Sequence, residues 1–218
     1  MSTKLTTLSL LLLGTFSLTT AAPAPAPIPD LTPSSSSSSS SCSNTSFQTT
    51  SLLAQSLSLN TSVLFTTPSH AVEGGYLSFT VLNPAFPSTP VECTAADTRK
   101  WEFFYGDQWF NCPSPTSSSE SGSRIVETKF RYTNRGETRY LAYVGGTVEI
   151  EQRWRCAGED GGDSITFKAS AAADITLSCD IHKSQNPNWT NGATYASNSM
   201  VCAKQDWEVE VNEISAVA

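Results

Sequence analysis

The chain has 218 residues, 20 acidic against 13 basic side chains, and a formal charge of −7. That balance excludes general nucleic-acid binding, which needs a basic surface. Two histidines, and six cysteines with no C-x-x-C pair, argue against a structural zinc site, and no cofactor is expected.

At the N-terminus Lys4 is the only charge before Asp30, and an apolar run, LSLLLLGTFSL, extends from Leu8 to Leu18. The run is too short to span a bilayer and ends in small residues, the pattern of a secretory signal peptide. Residues 1–21 are read as that signal, cleaved after Ala21. Residues 22–61 are read as a disordered leader. Pro23, Pro25, Pro27, Pro29 and Pro33 favour extended backbone, and the serines from Ser34 to Ser41 have nothing apolar to bury. The leader is expected to be an O-glycosylated spacer. N-glycosylation sequons occur at Asn44, Asn60 and Asn188. The C-terminal stretch WEVEVNEISAVA lacks the apolar tail of a lipid anchor. The mature protein is therefore expected outside the cell, released or held in a cell wall, and not in a membrane. An even number of cysteines (Cys42, Cys93, Cys112, Cys156, Cys179, Cys202) then implies disulfides, with fifteen pairings open.

Residues 62–218 read as one all-β domain. LSFTV alternates Leu77, Phe79 and Val81 with polar residues, and VETKFRY sets Val126, Phe130 and Tyr132 against Glu127, Lys129 and Arg131. In TVEIEQRW, Val148, Ile150 and Trp154 oppose Thr147, Glu149, Glu151 and Arg153. DITLSC and WEVEV repeat the pattern with Ile175, Leu177 and Cys179, and with Trp207, Val209 and Val211. Such alternation marks half-buried strands. Turn chemistry is read at 73–75 (EGG), 83–90, 134–137, 145–146 (GG) and 158–163. The expectation is a single antiparallel β-barrel or sandwich of roughly nine to eleven short strands, disulfide-stapled, with no helix.

The segment KWEFFYGDQWFNC, from Lys100 to Cys112, reads as a hairpin-like pair. Trp101, Phe103 and Tyr105 share one face, and Glu102 and Phe104 share the other. One side fills the core. The other side makes Phe104, with Trp109 or Phe110, a candidate stacking platform for a glycan. Cys112 can reach back to Cys93. Arg124, Lys129, Arg131, Arg135 and Arg139 gather basic charge, and Arg131 and Arg135 are candidate binding residues unless the run is a solvated strand face. Glu102, Asp107, Glu149 and Glu151 could supply the two carboxylates of a glycosidase, and His70 or His182 a general base. Glu149 and Glu151, however, share the polar strand face with Arg153, and both histidines adjoin turn residues. No G-x-S-x-G element occurs. A non-catalytic binding protein is therefore expected, with a carbohydrate-binding or structural wall protein as the alternative and a glycoside hydrolase behind them.

The order of LSFTV, VECTAAD, WFNC, WRC, a glycine-rich acidic loop and FKASAAADITL resembles the secreted fungal family of the major Alternaria allergen over about Ser62 to Asp180. The resemblance implies a compact β-barrel with two internal disulfides and no established catalytic machinery. It also implies a role as allergen, elicitor or effector at a host–fungus interface, with a host protein or cell-wall glycan as partner. It makes Cys93–Cys112 the first disulfide and Cys156 the start of the second. The family's fourth cysteine falls near Phe167, where this chain has none, and the second bridge carried over is Cys156–Cys179. Some family members dimerise through an N-terminal cysteine, so the resemblance also implies a homodimer through Cys42.

Overall fold

Residues 39–99, 103–114, 122–135, 143–158 and 162–218 are described by a computed structural model, within one compact unit, Ser37–Ala218. A short helix, α1 (Ser39–Phe47), precedes nine strands: β1 (Ser51–Thr67), β2 (His70–Leu82), β3 (Val91–Asp97), β4 (Phe110–Cys112), β5 (Arg124–Asn134), β6 (Tyr143–Cys156), β7 (Ile165–Gln185), β8 (Ala196–Cys202) and β9 (Gln205–Val217). All pairings among them are antiparallel. The spatial order is β3-β2-β1-β8-β7-β6-β5-β4, and β9 pairs with both β1 and β7.

The sheet closes into a barrel. β8 and β9 act as one stave broken at Ala203–Lys204. β8 joins the second half of β1 to the second half of β7, and β9 joins the first halves of the same two strands. On the far side, β3 and β4 meet through the Cys93–Cys112 disulfide. The all-β expectation holds, and the strand count falls at the low end of the expected range.

Period-two alternation puts Leu77, Phe79, Val81, Val148, Ile150, Trp154, Ile175, Leu177, Cys179 and Val209 inside. Trp154 is fully buried and stacks on Phe167, with ring centroids 5.6 Å apart. Burying side chains of this size supplies the main drive to fold, at roughly 25 cal/mol per Å² of apolar surface.

Several expectations are corrected. The folded unit does not begin at residue 62. Leu52, Ala54, Leu57 and Leu59 of β1 are fully buried, and β1 sits between β2 and the β8/β9 stave, so residues 39–61 of the expected leader belong to the fold. The register of β1 shifts between Gln55 and Ser58, and Ser56 takes a positive φ of 56°. That bulge breaks the alternation that would have marked the strand. α1 is the helix the sequence did not suggest. Gly74 and Gly75 lie within β2 and Gly145 and Gly146 within β6, and Pro68 and Ser69 make the turn between β1 and β2. In β5 a bulge between Ile125 and Glu127 turns Ile125 inward and leaves Val126 half-buried. The signal peptide, the leader up to residue 38, Trp101, Glu102 and Arg139 lie outside the described residues.

The disulfides are Cys42–Cys156, Cys93–Cys112 and Cys179–Cys202. The first predicted bridge is present, and Cys156–Cys179 is not. Cys156 ends β6, where α1 docks and presents Cys42. Cys179 lies directly opposite Cys202 in the β7–β8 register. Cys42 is therefore consumed within the chain and is not free to link a homodimer.

Gly75 marks how tightly one end of the barrel is filled. A methyl group there would stand 2.8 Å from Cγ of Phe103. Gly75→Ala should therefore cost about 1–3 kcal/mol through overpacking, read as a lower midpoint in urea unfolding. An unchanged midpoint would mean that Phe103 can move aside.

Candidate functional site

The aromatic segment does not form a hairpin. Among its described residues, 103–112, only Phe110–Cys112 is strand, with one isolated bridge from Tyr105 to Thr133. Phe104 adopts a positive φ of 61°, and that turn sends both Phe103 and Phe104 inward, each 1% exposed. Tyr105 points out instead, at 42% exposed. Phe104 packs edge-on against Phe110 and Tyr132. It is core, not a binding platform, because a left-handed residue cancels the alternation on which that assignment rested.

Asp97, at the end of β3, holds the segment in place. Its carboxylate accepts a hydrogen bond from the Phe104 backbone N–H (2.8 Å) and from the guanidinium of Arg99. Arg99 also donates to Asp107 (2.8 Å) and lies over the Tyr105 ring. Burial alone would raise the Asp97 carboxyl. The Arg99 and backbone donors outweigh it and hold the group below the usual aspartate value. Asp107 is lowered too, mainly by Arg99.

The outer face of β5–β7 carries the charged residues singled out from sequence. Trp109 is half-buried at its edge, with Lys129 Nζ 4.7 Å and the Arg131 guanidinium 4.9 Å from its ring centre. Arg131 makes a two-point bond with Glu149, at 2.8 and 2.7 Å. Glu151 sits between Lys129 (3.1 Å) and Lys168 (3.2 Å). Glu127 meets Arg153, and Arg135 meets Asp174, which Thr147 also supports. Most of the basic run is thus part of a cross-strand ion lattice. Exposed pairs of this kind contribute only about 0–1 kcal/mol each to stability. Burial pushes Glu151 up, but its two lysines bring it below the ordinary glutamate value. Arg131 and Trp109 are brought together by the fold, and Arg135 belongs to a separate pair further along the face.

This face presents paired charges. An acid catalyst needs a carboxyl raised toward neutrality, whereas Asp107 and Glu151 are shifted the other way. His70 and His182 are both exposed, on β2 and β7. No group of three or more His, Cys, Asp or Glu among the described residues could hold a metal ion. Of the sequons, Asn44 is exposed on α1 and Asn188 is exposed in the turn between β7 and β8. Asn60 lies mid-strand in β1, with its side-chain oxygen buried.

A family model described as Alternaria alternata allergen 1 matches residues 45–202, from within α1 to the end of β8. The chain belongs to the Alternaria alternata allergen 1 family. The match reaches beyond the resemblance at both ends and takes in all of β1 and β8, with β9 beyond it. No curated protein and no solved structure was found to match it.

Sequence reading passed over Phe65, Trp189 and Tyr195, which gather where β1, β7 and β8 end. Their signal was available in PNWTNGATY, a turn-rich stretch carrying two aromatics, but Phe65 lies 124 residues before Trp189 in the chain and only the strand pairing brings it near.

Proposed function

We propose that this member of the Alternaria alternata allergen 1 family is a secreted, non-catalytic protein that binds a host protein at a host–fungus interface. Three disulfides suit an oxidising extracellular compartment. The observation that carries the reading is the lattice on β5–β7. Lys129 and Arg131 are set against Trp109 while bonded to Glu151 and Glu149, so their positions are defined before any partner arrives. Preorganised charges beside an aromatic edge favour recognition over turnover, since ordering costs fall on the free protein. Of the carboxylates a glycosidase could use, the described ones, Asp107, Glu149 and Glu151, are each bonded to a cation.

The test compares the wild-type protein with a Lys129→Ala/Arg131→Ala variant in cross-linked capture from host extracellular fluid at low and high salt. The expected result is a host protein held in a salt-dependent way by the wild type and lost, by about tenfold or more, in the variant, with circular dichroism unchanged. Equal capture by both would remove this face from the reading. Turnover of wall polysaccharides, abolished by Asp107→Asn in a folded protein, would replace it with a hydrolase.

A further inference from the structure

We infer that the mouth of the barrel is a binding site for a sugar ring of a neutral oligosaccharide. β1, β2, β7 and β8 run on past the point where β6 ends its pairing, so residues 60–67, 70–75, 180–185 and 196–201 form a projecting sheet. Its inner face is apolar at depth, where Val63 and Met200 are buried and Phe103 closes the interior. One or two inward positions further out, the character changes. Phe65, Lys183, Gln185, Tyr195 and Asn198 line an open groove of about 370 Å³. Small-molecule sites recur at barrel mouths and span roughly 300–1,000 Å³.

The groove is built in advance of any ligand. The Tyr195 backbone N–H donates to the Phe65 carbonyl (2.8 Å), and the Tyr195 carbonyl accepts from the Asn186 N–H (2.9 Å). Gln185 Nε2 donates to the Tyr195 hydroxyl (2.9 Å). The Trp189 ring braces the Tyr195 ring edge-on at 5.9 Å, and its own N–H donates to the Ala193 carbonyl (2.8 Å). Tyr195 is therefore fixed at both backbone and side chain, which reduces what a ligand must order. Among the described residues the Asn198 side-chain amide makes no hydrogen bond, although it faces both the groove and the small space above Phe103.

This combination selects the guest. A pyranose has an apolar C–H face that can lie on Tyr195 or Phe65, and hydroxyls at its rim that can meet the Asn198 amide and the Gln185 carbonyl oxygen. A wholly apolar guest would cover those amides and leave them unpaired, which weakens its binding. The groove lies away from the β5–β7 lattice, so this inference stands or falls independently of the host-protein reading.

The test is calorimetric titration of the full mature chain with chitohexaose, laminarihexaose and cellohexaose, with tryptophan fluorescence as a second readout. Saturable binding of at least one is expected. Asn198→Ala and Tyr195→Ala should each weaken it by about tenfold or more, about 1.4 kcal/mol, while Glu92→Gln on the exposed side of β3 should bind as wild type. Among the described residues Asn198→Ala removes no hydrogen bond of the free protein, so it keeps the test decisive if Tyr195→Ala fails to fold. No binding of any of the three sugars, or undiminished binding by Asn198→Ala, would overturn the assignment.

Discussion

Removing the Cys42–Cys156 bridge, by Cys42→Ala together with Cys156→Ala, should lower the unfolding free energy by about 4–5 kcal/mol. The bridge spans 114 residues, against 19 for Cys93–Cys112 and 23 for Cys179–Cys202. In the chain-entropy treatment the longer loop restrains the unfolded chain more, and the shorter bridges are expected to be worth nearer 3 kcal/mol. The loss would not be confined to entropy. The bridge seats α1 on the barrel end, where the fully buried Ser46 hydroxyl accepts the indole N–H of Trp154 at 2.8 Å. Without α1 in place that buried donor has no acceptor, which adds to the cost. Urea unfolding of the double variant beside a Cys93→Ala/Cys112→Ala variant checks the order. A loss below about 2 kcal/mol would show that α1 is held by packing alone.

The second large effect belongs to Asp97. Asp97→Ala should cost about 3 kcal/mol, near the lower end for breaking a buried charge pair, since Arg99 is partly in water and screened. The side chain of Asp97 is 4% exposed and that of Arg99 is 36% exposed. The variant also leaves the buried Phe104 N–H without its acceptor. The pH dependence follows from the lowered carboxyl. A folded-state value below the unfolded one of about 3.9 gives stability that is present above that pH and is lost as pH falls further. Melting temperatures measured downward from about pH 4 should therefore fall more steeply for the wild type than for Asp97→Asn. Parallel curves would mean that the carboxylate does not hold the segment.

The barrel was legible where backbone and pattern agree. Val148, Ile150 and Trp154, or Ile175, Leu177 and Cys179, alternate without interruption, and their burial follows directly. It was obscured where one residue breaks the period. Ser56 at φ 56° hides β1 inside an apparent leader, and Phe104 at φ 61° converts an expected outward ring into core. Left-handed backbone at serine and phenylalanine has no propensity signature, because sterics disfavour it and only the surrounding contacts impose it. The ion lattice was half legible. Opposite charges on one face could be read from β5 and β6 separately, but the pairing of Arg131 with Glu149 needs their register. The choice of Cys202 as the partner of Cys179 needs the β7–β8 register in the same way. The barrel mouth requires four strands, β1, β2, β7 and β8, from distant parts of the chain to project together, which no local pattern encodes.

The broken stave has a consequence for how the molecule is made. β1 and β7 are held side by side chiefly through β8 and β9, which come from the last part of the chain. During synthesis β1 emerges early and must wait with one edge unpaired until about 140 further residues have followed. At the ~5–20 residues per second of translation, that exposure lasts several seconds or longer. A waiting edge invites pairing with another chain. Cys42 and Cys156 can join before the stave arrives, tethering α1 and β6 across the unfinished gap, whereas Cys179 has no partner until Cys202 is brought beside it. The bond between β7 and β8 thus records completion of the barrel, and free thiols at Cys179 and Cys202 mark chains in which that last insertion has failed.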